Sequence, residues 1–454
     1  MKKTIALTIP LLLFIIITAI YSQRIYYASA DLQVQKTTED ATVISSFVDD
    51  QGSVRFASDK HYATKVTHFE EGLNVLEEYY DVSSNPVTLP AGYSKIQRTY
   101  QSGLNTQIIY LDTHSQPVVI KNGYDTIRRS YYTDLLADTD TYYVRDMQVE
   151  RSEGYWQYKR IYNDEGQVVE LQYLDKDGSL TLHKNGYAVV HRFYNDAGKV
   201  EWEYYYDTDG KPTTSTLGQY GYYCEYDDEG RTVLRIYTNA SGQPMNNNRG
   251  YSKVIINYEK VGVKTQYYDV DNNPTTIGRS QFGILKTNGQ SIYLDEDGEV
   301  MIRLDNILNT HPWIVVVGGL FLTIIAVMLK GKAQIIFLIL YILFILYMTM
   351  VYRENGDSRG VFELFASYKD FFRNPMTRQN ILNNIWLFVP LGAALYDSEQ
   401  PQRWGVLFWA IGLSIAIEAV QWFTGIGLAE IDDVLSNGLG TLIGYGFAVG
   451  LRIN

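Results

Sequence analysis

Ser414, Glu418 and Gln421 sit within an otherwise apolar run at spacings of four and three residues. On a helix those spacings put all three on one face. A carboxylate and a carboxamide held among apolar side chains can bind a cationic or hydroxyl-bearing group, and with a second carboxylate can divide acid and base roles. Further carboxylates, Asp432 and Asp433, follow closely, with Asn437 a turn beyond, and Asn384 opens an earlier apolar run. The candidate ligand-binding set is therefore Asn384, Ser414, Glu418, Gln421, Asp432, Asp433 and Asn437. Asp at a helix start also caps backbone N–H groups and complements the helix dipole. Capping accounts for one aspartate but not for Glu418.

The chemistry these residues favour is binding rather than catalysis. No nucleophile elbow, Walker motif or HExxH sequence is present, and His311 is the sole histidine of the last third of the chain, so no metal or cofactor is expected. The alternatives are an integral-membrane hydrolase or transferase acting on a lipid-linked envelope substrate, and a small transporter that titrates Glu418. A formal charge of −12 argues against nucleic acid as partner. With Cys224 as the single cysteine, no intrachain disulfide forms.

These residues must be positioned by membrane helices. Apolar stretches near the length that spans a bilayer occur at 312–329, 334–351, 404–423 and 434–451, with a shorter one at 381–395 that contains Pro390. An N-terminal run, 5–20, follows Lys2 and Lys3 and reads as an uncleaved anchor. Placing the Lys/Arg-bearing connections 330–332 and 397–403 inside puts both termini inside and residues 25–310 outside, in a multi-pass protein of a Gram-positive cell membrane. Aromatic residues across 361–372 recur at helical spacing, as in a helix lying on the bilayer surface. Gly440 and Gly444 form a small-xxx-small pair suited to close helix packing.

Between the anchor and these helices the chain is polar, acidic and Tyr-rich. Gly-Tyr recurs at 92, 123, 154, 186 and 250, with degenerate copies near 218 and 282, a period of about 31 to 32 residues. Each period holds two short aromatic and β-branched runs punctuated by Asp-x-Gly or Asp-Gly, the pattern of hairpins. About seven stacked hairpin units are expected, as a solenoid or propeller sharing a tyrosine core. The aspartates suit turns that close on their own backbone and lack the calcium-loop pattern. The division is an anchor over 1–24, β-rich repeats over 25–305 and an all-α membrane bundle over 306–454. Candidate partners are membrane lipids and, through the repeats, peptidoglycan, wall glycan or a lipid-linked precursor.

Three blocks of the last part carry a resemblance. Asn384-Ile385-Trp386-Leu387-Phe388-Val389-Pro390-Leu391-Gly392, then Ser414 to Gln421, then Glu430-Ile431-Asp432-Asp433 through Gly440 with Gly444-Tyr445, resemble the signature blocks of VanZ-like proteins in order and spacing. The likeness covers about 310–454. It departs at Ile426, where many relatives carry Arg. The resemblance implies a role in glycopeptide resistance, chiefly to teicoplanin.

Overall fold

The computed structural model describes residue 16 and residues 27–133, 136–277, 281–287, 290–311, 313–350, 360–369, 371, 375–396, 405–425 and 428–452. The rest of the expected anchor, the charged connections 353–359 and 397–403, and Ile426 lie outside the described residues. The chain divides into a strand unit, residues 27–287 with 293–299, and a helical unit that takes residues 290–292 and those from 300 onward.

The strand unit is an antiparallel sheet of nineteen strands built as a succession of hairpins. Within one hairpin Phe193 lies opposite Trp202, and between hairpins Leu171 lies opposite Val190 and Glu203 opposite Tyr222. Among the described residues no ladder joins the first strand, Gln33–Glu39, to the last, Gln290–Leu294, so the stack is open rather than closed into a propeller. Two hairpins, 33–48 and 64–80, precede the first Gly-Tyr copy. The second of them is entered through His61-Tyr62, with His61 in the left-handed backbone region where later copies place glycine. That substitution hid the copy from a Gly-Tyr search.

Each conspicuous residue of the repeat has a physical task. The repeat glycines 92, 123, 154, 186, 218 and 250 all have φ between 86° and 101°, which an L side chain rarely adopts. After all of them but Gly218 comes a tyrosine, half-buried at Tyr93 and buried at Tyr124, Tyr155, Tyr187 and Tyr251, whose ring meets the next ring along the stack. An unbroken series runs from Phe47 through Tyr62, Tyr79, Tyr93, Tyr110, Tyr124, Tyr142, Tyr155, Tyr173 and Tyr187 to Tyr205, with centroids 4.3 to 6.2 Å apart. Such edge and offset contacts stabilise beyond their buried area. The series stops where Gln219 stands at the tyrosine position and resumes at Tyr237, Tyr251 and Tyr267. A second tyrosine, at the end of each first strand, ties one hairpin to the one before. The hydroxyls of Tyr131, Tyr162, Tyr194 and Tyr226 donate to the carbonyls of Asn105, Ala137, Val168 and Val200 at 2.7 to 2.8 Å. The turn aspartates close on their own backbone: Asp175 Oδ1 accepts from the N–H groups of Asp177 and Ser179, and Asp207, Asn239 and Asp269 repeat the arrangement.

The helical unit contains α1 (Leu304–Thr310), α2 (Trp313–Met328), α3 (Lys332–Met350), the short α4 (Ala366–Lys369), α5 (Pro375–Ala394), α6 (Gly405–Thr424) and α7 (Ile431–Arg452). Helix α3 and residues 431–451 of α7 are long and apolar enough to cross a membrane; α2 and residues 408–424 of α6 are shorter apolar helices. Helix α5 is central. Its Leu382, Trp386, Phe388, Val389 and Leu391 are buried, whereas α6 turns Phe408, Trp409, Ile415 and Phe423 outward. Outward apolar residues suit a lipid surrounding, where burial against protein is not needed.

Two contacts set the register of the bundle. Glycines 392, 440 and 444 bring α5 and α7 together backbone to backbone, an added Cβ at 440 or 444 falling on the carbonyl oxygen of Ile385 or Val389. Gln334 at the start of α3 donates to the carbonyls of Ala394 and Tyr396 at the end of α5, so these two termini share one end of the bundle. The other end collects the polar side chains.

The expected surface helix over 361–372 is shorter than its aromatic spacing suggested. Gly360–Val361 forms a strand pair with Ala429–Glu430, Phe365 has φ of 63°, and among the described residues of this span helix is confined to α4. Asp432, distant in sequence, takes the backbone N–H groups of Phe365 and Ser367 and so caps the start of α4.

Candidate functional site

At the polar end of the bundle a cavity of about 550 Å³ opens among α1, α2, α3, α5 and the start of α7. One part of its wall is polar: Asn380, Asn383 and Asn384 from the first turns of α5, with Glu430 and Asp433 from the head of α7. The remainder is apolar, from Leu308, Val315, Leu322, Phe344, Met348 and Leu387, with Gly318 and Gly319 opening space along α2. Such a cavity matches a molecule with a hydrogen-bonding head and an apolar tail. Asn384 adds a specific signal: its Nδ2 is buried and lacks a hydrogen-bond partner among the described residues, and a buried donor left unsatisfied is costly.

Two of the sequence candidates, Asn384 and Asp433, line this cavity. The other five stand behind or beside it, each with a visible contact. Glu418 Oε2 accepts from the backbone N–H of Glu430 at 2.8 Å, fixing the backbone of a residue of the cavity wall. Gln421 donates to the Thr349 carbonyl at 3.0 Å, joining the end of α6 to the end of α3. Asn437 donates to Ser414 Oγ at 2.8 Å across the α6–α7 contact. The one-face spacing of Ser414, Glu418 and Gln421 thus serves three tertiary hydrogen bonds.

Asp432 is 2% exposed and its two carboxylate oxygens hold Phe365 N and Ser367 N at 2.7 and 2.8 Å. Ser436, one turn on, pairs with the Tyr368 hydroxyl at 2.8 Å, so one face of α7 clasps residues 365–368 twice. Replacing Asp432 by alanine strands two backbone donors, at roughly 1–3 kcal/mol for each unsatisfied buried group. The expected outcome is faster amide hydrogen exchange at Phe365 and Ser367 in the Asp432→Ala protein, with exchange in the centre of α3 unchanged.

Sequence reasoning passed over Asn380 and Asn383 as ligands and read Glu430 as part of a motif rather than of a wall. A signal for the asparagines was present, since positions 380, 383 and 384 share one helical face at the mouth of an apolar run. Among the described residues no group of His, Cys, Asp and Glu is arranged to hold a metal ion.

No curated protein matches the sequence. Two solved structures are similar at 10% identity and TM-scores of 0.15: the crystal structure of TcdB2-TccC3-TEV, over 57% of this chain and 19% of that one, and the Photorhabdus luminescens Tc holotoxin pore, over 56% and 16%. The chain spans less than a fifth of either. Residues 334–452 match the VanZ/LLP1 family model. They include α3, α5, α6 and α7 and with them every polar residue of the cavity wall, so that the C-terminal region of this chain is a VanZ-like domain.

Proposed function

We propose that the VanZ-like domain is a non-enzymatic binder of an amphipathic envelope ligand, either a lipid-linked wall precursor or a lipidated glycopeptide of the teicoplanin type. The cavity carries this reading. Carboxamides both donate and accept, carboxylates accept from hydroxyl and ammonium groups, and the adjoining α1–α2–α3 wall offers a tail an environment free of water. By the positive-inside rule the polar end faces outward, the side on which glycopeptides and exported precursors are met. The repeats contact the cell wall.

The test is drug susceptibility together with direct binding. In a susceptible Gram-positive host the wild-type protein raises the inhibitory concentration of teicoplanin and leaves that of vancomycin, which lacks the lipid, near its starting value. The purified protein in detergent binds a fluorescent teicoplanin derivative, and Asp433→Asn or Phe344→Trp weakens it about tenfold, the equivalent of one charged hydrogen bond or of a filled apolar wall. No rise from well-expressed wild type sinks the resistance reading. Undiminished binding by both variants sinks the cavity as the site.

A further inference from the structure

One hairpin of the repeat sheet departs from its neighbours on the face opposite the buried tyrosine series. Tyr187 and Tyr205 of this hairpin belong to that series, while Phe193, Trp202 and Tyr204 alternate away from it. Phe193 is 54% exposed. The Trp202 and Tyr204 ring planes lie within 6° of parallel, with centroids 5.9 Å apart. Tyr223, on the next hairpin, closes the group at 4.8 Å from Trp202, and its hydroxyl donates to Glu225 at 3.2 Å. The turn at Gly242 stands against the Tyr204 hydroxyl and forms a rim.

The scaffold does not demand these aromatics. The cross-strand rung Phe193–Trp202 corresponds to Ile161–Glu170 in the hairpin before, to Glu225–Leu234 in the one after, and to Asn257–Lys264 in the next. Those hairpins form the same ladder with aliphatic, carboxamide and charged residues. Cross-strand aromatic pairs do stabilise sheets, but that benefit is available at every rung, and its concentration at one calls for another cause.

We propose that Phe193, Trp202, Tyr204 and Tyr223 form a binding platform for a neutral β-linked glycan strand. Aromatic faces are electron-rich and pack against the polarised C–H face of a pyranose ring. Near-parallel rings on one strand suit consecutive sugars of a linear chain, and Glu225 at the border accepts their hydroxyl protons. The acidic border and the absence of Lys and Arg from this aromatic group disfavour polyanionic wall polymers. The proposal rests on the wall contact assigned to the repeats and gives it a location.

The experiment uses the full chain in detergent, with two probes: peptidoglycan sacculi stripped of anionic polymer, and a soluble β-1,4-linked N-acetylglucosamine tetramer, with cellotetraose as a third arm. Wild type is expected to bind sacculi and at least one tetramer. The Trp202→Ala/Tyr204→Ala protein is expected to bind both at least about tenfold more weakly. Phe193→Ser, at an exposed position, guards against misfolding and should also weaken binding, whereas Ile161→Ala should not. Wild-type binding to sacculi that all platform variants retain overturns the platform and leaves the wall contact standing. Absence of wild-type binding to sacculi and tetramers removes both.

Discussion

Replacing Gly444 by leucine should separate α5 from α7 and unfold the helical unit. Even the first added carbon falls on the Val389 carbonyl oxygen, and that atom belongs to a helix backbone that cannot rotate aside. Overpacking a core commonly costs about 1–3 kcal/mol, and more where no side chain can yield. Gly444→Ala is therefore expected to lie near the top of that range and Gly444→Leu beyond it. Gly412, whose added Cβ would meet nothing within 4 Å, supplies the control, and Gly412→Ala should be neutral or slightly stabilising. Denaturation of the detergent-solubilised protein, followed by tryptophan fluorescence, measures the differences. A Gly444→Ala protein as stable as wild type would show that the helices do not approach so closely.

The second large effect is expected at Asp140, 4% exposed in the repeat sheet. Arg129 grips its two oxygens at 2.6 and 3.0 Å and Arg160 adds a third contact at 2.6 Å. Burial alone would raise its pKa, but the hydrogen bonds and charges of the two guanidinium groups outweigh burial and hold it below the ordinary value. Asp140→Ala leaves two half-buried cations without their shared anion, a change of about 3–5 kcal/mol by analogy with other broken buried pairs. Because the folded pKa is the lower one, the carboxylate contributes its full stabilisation above the unfolded value of about 3.9. That contribution is lost as pH falls through the folded value. Thermal unfolding of the full chain should show a wide gap between wild type and Asp140→Ala at neutral pH, closing in strong acid. A gap independent of pH would mean that the variant acts through packing instead.

Much of the fold was legible because its signals are local. The repeat period, the Asx turns and the apolar helices each depend on residues a few positions apart, and Gly440 with Gly444 announced a close packing that α5 completes. The VanZ-like blocks were legible for the same reason, being short, ordered strings. The cavity was not. Its apolar wall comes from Leu308, Val315, Phe344 and Met348 on three separate helices, and a cavity is a property of how helices fail to fill space, which no single segment records. The contacts of Asp432 were hidden for a related reason. Its partners lie 65 and 67 positions earlier in the chain, so the sequence offers a ligand or a local cap, whereas the structure shows it holding the start of α4. Glu418 was picked out as a buried carboxylate, but its orienting contact with Glu430 depends on a turn whose path the sequence leaves open.

The interruption of the tyrosine series at Gln219 has a consequence for how the repeat array comes apart. In a stack whose units touch only their neighbours, cooperativity is the product of the interfaces between them, and the weakest interface sets where it fails. Around Gln219, whose Oε1 is buried without a partner among the described residues, Tyr222 packs on both the preceding and the following core clusters. Unfolding of the array should therefore depend at this seam on the strand ladder and on the Trp202–Tyr223 contact of the opposite face rather than on the buried ring series.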